Sequence, residues 1–228
     1  MLSVELHAHS AASYDGRDPV ELLLEQAAAV GLDAIAVTDH DEIAASLEAV
    51  ELAPEYGLVG IPGMEVSTAD GHVLSLGVEE LVPEGMPFEG TLSYIRERGG
   101  LAVVPPPFQE SRHGVLANVS KAQLATADAI EAYNSRLFIG YSNRQARRFA
   151  QQRDLPMTAG SDAHICEMVG QSVTLVDADE PTADGILDAI QDGRTEIEGQ
   201  RTPWRISFRQ AAGGVRRRLA HRLGRGED

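Results

Sequence analysis

The sequence that decides the fold is LSVELHAHS, residues 2–10. Its first part, Leu2–Leu6, has the composition of a short buried strand, and His7 and His9 follow it directly. Residues two apart on an extended chain project from the same side, so both imidazoles can bind one metal ion. A single histidine after a strand is usually structural, whereas a pair that recurs elsewhere on the chain indicates metal ligands.

Outward from this stretch, short apolar runs alternate with helical patterns, which is typical of βα units around a largely parallel sheet. The predicted strands are Leu2–Leu6, Ala34–Thr38, Val59–Ile61, His72–Leu76, Leu101–Val104, Ala129–Ala132, Met157–Ala159 and Val173–Val176. The predicted helices are Pro19–Val30, Glu42–Tyr56, Glu89–Arg98, Tyr141–Arg153 and Thr182–Asp192. About seven units are too many for a small open sheet and slightly few for an eightfold barrel. We therefore predict an α/β fold in the form of a distorted TIM-like (β/α)7 barrel.

Histidines and carboxylates follow the predicted strands, at the ends where barrel enzymes carry their chemistry. Asp39 and His40 follow the second strand, and Glu65 lies just past the third. Asp162 and His164 follow a late strand and repeat the spacing of two residues. Imidazole and carboxylate are ligands of Zn²⁺, Mn²⁺ and Fe²⁺, so the pattern indicates a metal centre at one rim. Asp15 and His72 are two further candidate ligands, which are indicated only because the other candidates are present.

The charge of the chain is strongly acidic and unevenly distributed. Asp and Glu number 35 against 19 Lys and Arg, for a net charge of −16, and Lys121 is the sole lysine. Such a surface suits concentrated salt, which screens self-repulsion, so we expect a halophilic protein. Residues 201–228 reverse the sign with eight arginines against two acids. We therefore divide the chain into a domain of residues 1–200 and a basic C-terminal tail of residues 201–228.

The sequence shows no pattern of export or membrane insertion. The N-terminus lacks a basic region followed by an apolar one, and no apolar run approaches the roughly 18 residues that span a bilayer. Cys166 is the only cysteine, which excludes an internal disulfide and an all-cysteine metal site. We expect a cytoplasmic protein with no membrane partner and no obligate protein partner.

Four motifs carry a resemblance to a known family: HAHS at residues 7–10, TDHD at 38–41, GMEVS at 63–67 and GSDAH at 160–164. In this order they resemble the motifs of the PHP family, the polymerase and histidinol phosphatase phosphoesterases. The resemblance covers the chain up to about Gly199. It implies a distorted βα barrel that binds two or three divalent ions, which are Zn²⁺, Mn²⁺ or Fe²⁺.

The resemblance also assigns ligands, residue by residue. The first ion would be held by His7, His9, Glu65 and Asp162. The second would be held by Asp15, His40 and His164. Glu65 would bridge to a third position helped by His72. Asp39 would orient the imidazole of His40 or cap the next helix.

One expected ligand of the third ion is missing. In the stretch LAVVPPPFQ, residues 101–109, an apolar strand ends in three consecutive prolines. The family commonly has a His-Pro pair at this point, and Pro106 stands in the histidine's place. Because proline offers no side-chain donor to a metal, the third position is short of one protein ligand. Water, Glu110 or His113 could substitute.

Clustered divalent ions can withdraw charge from a phosphate ester, lower the pKa of a bound water and align it with the leaving group. We therefore expect a metal-dependent phosphoesterase that acts on a nucleotide, an oligonucleotide or a small phosphorylated metabolite. Candidates for a direct part in the reaction or for contact with the phosphate are His40, Asp39, Arg112, His113 and Arg136. Asn134 is expected to position the substrate or the loop backbone.

Within the family, the motifs look most like those of compact phosphatases and exonucleases that act on nucleoside 3′,5′-bisphosphates and nucleic-acid 5′ ends. Two alternatives remain open at this point. The first is a histidinol-phosphate-type phosphatase, which performs the same chemistry on another substrate. The second is a metal-binding module that has lost catalysis and serves as a scaffold, a reading suggested by Pro106.

Overall fold

The structure is a computed structural model that describes residues 1–106, 118–137 and 140–199. The strands in these ranges are β1 (Leu2–Ala8), β2 (Ala34–Val37), β3 (Val59–Ile61), β4 (Gly63–Thr68), β5 (Gly71–Leu76), β6 (Leu101–Val104), β7 (Ala129–Asn134), β8 (Met157–Gly160), β9 (Ser172–Val176) and β10 (Thr195–Gly199). The α-helices are α1 (Val20–Ala29), α2 (Ala44–Leu52), α3 (Phe88–Arg96), α4 (Lys121–Leu124), α5 (Tyr141–Gln151) and α6 (Ala183–Gln191). None of the helices in the described ranges combines the length and apolarity needed to cross a membrane.

The strands form two five-stranded sheets. Sheet A has the order β10-β9-β1-β2-β3, and sheet B has the order β4-β5-β6-β7-β8. In each sheet two neighbouring pairs are parallel and two are antiparallel. The α/β class is confirmed, but the expectation of a largely parallel sheet is wrong. Within the described residues the two sheets remain separate rather than closing into one continuous barrel.

The predicted elements are present with some shifted ends, and three described elements were not predicted: β4, β10 and the short helix α4. All eight predicted strands occur, and their ends move by at most two residues. The sequence prediction misses β4 and β10, because neither contains a run of apolar residues. The predicted helix Glu42–Tyr56 is α2 followed by a 3₁₀ turn over Ala53–Tyr56, where Pro54 cannot donate the next helical hydrogen bond.

The two sheets face each other across one apolar core. Sheet A contributes Leu6 and Ile61, sheet B contributes Leu74 and Val103, and α6 adds Ile186 among others. Two further clusters lie outside this core. In one of them α1 and α2 pack on sheet A, and in the other α3 and α5 pack on sheet B. Helices therefore cover both outer faces, which is the layered arrangement of α/β proteins.

Backbone hydrogen bonds join the two sheets at the ends of their strands. Ala8 at the end of β1 forms a parallel bridge with Ala163, which follows β8, and His40 after β2 forms another with Glu65 in β4. Across these bridges His9 N donates to Ala163 O at 2.7 Å. All four bridging residues belong to the motifs singled out in the sequence. The junction of the two sheets is thus also the meeting point of the motifs.

The close approach of α2 to β3 yields a prediction about stability. A Cβ atom at Gly60 in β3 would lie 2.5 Å from Val50 Cα, which is a backbone atom of α2. Gly60→Ala should therefore lower the free energy of unfolding by about 1–3 kcal/mol. At the exposed helical Gly90 the nearest atom would be Pro87 Cδ at 3.9 Å. Gly90→Ala should raise the free energy of unfolding by about 0.5–1 kcal/mol.

Denaturant unfolding of the two variants beside the unsubstituted protein measures both effects. The same substitution is made in each case, so a difference in sign isolates the contact with α2. Equal, small changes at the two positions would contradict the packing of α2 on β3.

Candidate metal centre

The carboxylate of Glu65 lies at the centre of the cluster that the junction assembles. Its Oε2 atom is 3.2 Å from His7 Nε2, 3.2 Å from His9 Nε2 and 3.6 Å from His40 Nδ1. Its Oε1 atom is 2.9 Å from His72 Nδ1. Glu65 therefore contacts four imidazoles, which come from β1, from the end of β2 and from β5.

Two aspartates flank this centre. Asp162 Oδ1 lies 3.3 Å from His164 Nδ1 and 3.6 Å from His9 Nε2. Asp15 Oδ2 lies 2.7 Å from His164 Nε2 and 3.7 Å from His40 Nε2. Together with Glu65 these contacts bring all eight predicted ligands into one connected cluster.

Several ring nitrogens of the histidines are buried without a hydrogen-bond partner among the described residues. Both ring nitrogens of His9 and Nδ1 of His40 are buried and have no hydrogen-bond partner of acceptable geometry in the described part of the chain. Buried polar atoms are normally paired, because leaving one unpaired costs about 1–3 kcal/mol. The ligand atoms of His7, His9 and Asp162 lie within 4.8 Å of one another, and so do those of His9, His40 and Glu65. A divalent cation in these groups would give a partner to a ring nitrogen of His9 and to one of His40, so the residues fit a metal.

Electrostatics within the cluster favour ionised carboxylates. Burial disfavours the charged form of Glu65, but His7 and the other imidazoles outweigh it and hold the pKa of Glu65 well below its ordinary value. Asp162 is half-buried; desolvation raises its pKa, but Arg136 and the neighbouring histidines outweigh this and lower the pKa to about 2. Both carboxylates are therefore in the anionic form that binds a cation.

The surroundings shift the pKa values of His7 and His9 in opposite directions. Burial, assisted by the electrostatic influence of His164, lowers the pKa of His9 to about 4, so one of its ring nitrogens has a lone pair available at neutral pH. Burial also acts on His7, but the Glu131 and Glu65 carboxylates raise the pKa of His7 well above its ordinary value. Without a metal, His7 holds a proton among these carboxylates. Metal binding must displace that proton, as it does for most histidine ligands.

Glu131 is a functional candidate that the sequence prediction missed. It lies in β7, is 1% exposed, and its Oε1 atom is 3.2 Å from His7 Nδ1. A carboxylate on the second nitrogen of a histidine fixes the ring and its tautomer for metal binding through the first. The available signal was an acid within the apolar strand AIEAYN, residues 129–134. Buried acids are rare unless they are paired.

Gly160 at the end of β8 makes room for the pair of His7 and Glu131. A Cβ atom there would lie 2.4 Å from Glu131 Oε1 and 2.5 Å from His7 Cβ. The glycine of the GSDAH motif therefore has a steric role. Asp162, two residues later, has a φ of 51°, a left-handed conformation that aspartate tolerates better than most residues.

Asp39 makes two hydrogen bonds that the sequence did not predict. Its Oδ1 accepts a hydrogen bond from Ser10 N at 2.7 Å and its Oδ2 accepts one from Ser10 Oγ at 2.6 Å. The capping role is wrong, since Ile43 is the N-cap of α2 and the side chain that accepts from Ala44 N, at 2.7 Å, is that of Glu42. Asp39 fixes the chain that follows His9 rather than the helix after His40.

Arg136 and Asn134 both reach Asp162. Arg136 Nη1 donates to Asp162 Oδ1 at 3.1 Å, and Asn134 Nδ2 donates to Asp162 Oδ2 at 3.3 Å. Asn134 Nδ2 also lies 3.2 Å from Glu131 Oε2. The other candidates of the phosphate clamp and the third ion lie outside the described residues: Glu110, Arg112 and His113.

Pro106 is buried and lies just beyond β6. β5 and β6 are antiparallel with Leu74 opposite Val103. Continuing that register by two residues places His72 opposite Pro105. The prolines therefore follow β6 at the end of the strand pair that carries His72.

A third group of ligand-type side chains lies beside the cluster: Asp18, Cys166 and Glu167. Burial and the two neighbouring carboxylates raise the pKa of the Cys166 thiol to about 12. The thiol is protonated at neutral pH, and the thiolate is the form that binds metals.

The chain is similar to proteins of known sequence over much of its length. The sequence model of a family described as PHP-associated matches residues 140–195. An uncharacterized protein of Methanocaldococcus jannaschii is 30% identical over 75% of this chain and 69% of its own length. A phosphoribosyl 1,2-cyclic phosphate 1,2-diphosphodiesterase of Eggerthella lenta is 44% identical, but only over 35% of this chain and 32% of the relative.

A solved structure supports the fold. A two-domain protein of Bacteroides vulgatus, described as containing a predicted PHP-like metal-dependent phosphoesterase, superposes with a TM-score of 0.74. It is 22% identical and matches 87% of this chain, which spans 65% of that protein. Structure, motifs and sequence similarity agree: the chain belongs to the PHP family of metal-dependent phosphoesterases.

Proposed function

We propose that the domain of residues 1–200 hydrolyses phosphate esters with a water activated by two or three divalent cations. The observation that supports this proposal most strongly is the position of Glu65. A buried carboxylate that contacts four imidazoles, with Asp162 and Asp15 on either side, has the composition of a multi-metal site. Zn²⁺, Mn²⁺ and Fe²⁺ all suit such a donor set.

The proposed ligands fall into two neighbouring sets, which are in contact through Glu65 and His40. His7, His9, Glu65 and Asp162 would hold one ion, and Asp15, His40 and His164 would hold another. The contact of Asp15 with both His40 and His164 supports the second set. Glu65 and His72 would contribute to a third position. Such ions supply a nucleophilic water at neutral pH and withdraw charge from the phosphate oxygens.

The remaining residues of the site would position the metal ligands and neutralise the charge of the phosphate. Glu131 holds the ring of His7 through Nδ1, and Asn134 ties Glu131 to Asp162. Arg136, in contact with Asp162, brings a guanidinium to the edge of the cluster. A guanidinium is suited to the non-reacting oxygens of a phosphate.

The substrate is proposed at the level of chemical class: a nucleotide, the 5′ end of an oligonucleotide, or a small phosphorylated metabolite. The Eggerthella lenta relative is named for a cyclic phosphodiester. That name favours a phosphate ester on a sugar for this chain too.

The central prediction concerns catalysis by the assigned ligands. The protein loaded with Mn²⁺ or Zn²⁺ should release inorganic phosphate from phosphate esters. His9→Ala and Asp162→Asn should each lower kcat at least about 100-fold, since a lost ligand should cost no less than a lost supporting contact. Asparagine is chosen at position 162 because it tolerates the left-handed φ. Phosphate release and thermal unfolding are measured together.

Glu48→Ala, an exposed change on α2, is the matched control and should leave kcat unchanged. Full activity in His9→Ala would contradict the ligand assignment. A metal-loaded protein that hydrolyses no phosphate ester would instead favour a scaffold role.

A second prediction isolates the positioning role of Glu131. Glu131→Ala should weaken Mn²⁺ binding by about 10–100-fold, because His7 would lose the partner that orients its ring. Glu131→Gln should lose less Mn²⁺ affinity, since the amide oxygen of glutamine can still accept a hydrogen bond from His7 Nδ1–H. Calorimetric titration of the metal-free proteins with Mn²⁺ gives both affinities. An unchanged affinity in Glu131→Ala would mean that the contact is structural only.

A third prediction concerns Pro106. If it replaces a ligand, Pro106→His should increase the number of ions retained per chain, while the other ligands are untouched. Pro54→His is the control, since it places an imidazole at an exposed position in the 3₁₀ turn that precedes β3 and should retain no additional ion. Mass spectrometry after identical dialysis gives the metal content of each protein. Equal stoichiometry in all three would show that the third position is already complete or does not exist.

A further inference from the structure

The large, exposed side chain of Tyr14 lies at the edge of the cluster. Tyr14 has 77% of its surface exposed. Its ring stacks on His40 with the centroids 4.8 Å apart and the planes 19° from parallel. One face of the tyrosine thus covers a proposed metal ligand. With that much surface exposed, the opposite face is open to solvent in the described structure.

The exposure of the cluster is graded, and Tyr14 lies at its open side. The side chains of His7 and His9 are 2% and 1% exposed. Those of Asp15, His72 and Arg136 are 26%, 25% and 22% exposed. Tyr14 immediately precedes Asp15 and stacks on His40. A ligand that reaches the cluster from solvent therefore arrives beside the tyrosine ring.

Hydrogen bonds on both sides of Tyr14 hold its loop in place. Ser13 N donates to Ser10 O at 3.2 Å, and Ser13 Oγ donates to Asp15 Oδ1 at 2.9 Å. Asp15 Oδ2 is in turn 2.7 Å from His164 Nε2. The ring is therefore preorganised, and little conformational entropy would be lost when a ligand packs on it.

We propose that Tyr14 is a specificity residue on which a planar ring of the substrate stacks while its phosphate occupies the metal cluster. The inference rests on the proposed phosphoesterase function and narrows its substrate class to phosphate esters that carry an aromatic base. Stacking of a base on an aromatic side chain does not depend on the identity of the base. The site would then distinguish nucleotides from sugar phosphates without reading a particular base.

The test compares two ligands with the same phosphate on the same sugar carbon: adenosine 5′-monophosphate and ribose 5-phosphate. Binding to the Mn²⁺-loaded protein is measured by calorimetry, and phosphate release is measured in parallel. The variants are Tyr14→Ala, Tyr14→Phe and a control, Tyr94→Ala. Tyr94 donates to Glu80, which lies beyond the end of β5 opposite to His72.

The unsubstituted protein should bind adenosine 5′-monophosphate about tenfold or more tightly than ribose 5-phosphate. Tyr14→Ala should remove most of that preference, with the loss in KM rather than in kcat. Tyr14→Phe and Tyr94→Ala should keep the preference, because the ring rather than the hydroxyl is responsible. Affinity for ribose 5-phosphate should stay within about threefold in every variant.

The inference would be overturned by the absence of any preference for the base in the unsubstituted protein, or by a preference that survives Tyr14→Ala. A loss in Tyr14→Phe equal to that in Tyr14→Ala would also overturn it, since the hydroxyl would then be the group that matters. Failure of the proposed function looks different. In that case neither ester is hydrolysed, while the binding preference and its loss in Tyr14→Ala still report on the tyrosine.

Discussion

The buried carboxylate of Glu65 is the constraint on which the rest of the site depends. An ionised carboxylate away from water is costly unless opposite charge or donors surround it. Glu65 obtains those partners from four histidines on three separate segments, so the segments must meet at one place. Its backbone takes part in the same requirement, because Glu65 forms the bridge with His40 that joins sheet B to sheet A. Residue 65 thus links the fold and the chemistry.

Around Glu65 the cluster is closed on one side and open on the other. The closed side is supported by Glu131, Asn134 and the space left at Gly160, so His7 is held from behind by contacts that solvent does not reach. The open side carries Asp15, His72 and Arg136. Rigid ligands backed by protein and an exposed face for the substrate are what metal-assisted hydrolysis requires.

The motif residues could be predicted from sequence because their positions follow from strand ends. His7 and His9, and Asp162 and His164, needed only a short apolar run before them. Glu65 follows β3 as predicted, but it lies within β4, a strand that the sequence prediction missed. Met64 and Val66 alternate with the polar Glu65 and Ser67, which is the period of a strand, but over only four residues. The pairing of β4 with β5 is a tertiary effect that so short a pattern does not predict.

Supporting contacts were harder to predict than ligands. Glu131 resembles any acid in a strand until His7 is placed against it, and the two are 124 residues apart. The partner of Asp39 could not be deduced either, because Ser10 reaches it only after β1 and β2 are paired. The mixed strand directions of the two sheets have the same origin. Local patterns identify strands, but the direction in which two distant strands pair depends on the packing of the whole domain.

The division of the chain between the sheets has a consequence for folding. Sheet B is one continuous stretch from β4 to β8, whereas sheet A combines β1–β3 with β9 and β10 from the other end of the described chain. Neighbours in sheet B can pair soon after they emerge from the ribosome, but β1 must wait for β9, which begins at Ser172. Closing so long a loop is entropically costly and slow. We therefore expect His7 and His9 to meet Asp162 and His164 late in folding, so that metal occupancy would report completion of the native topology.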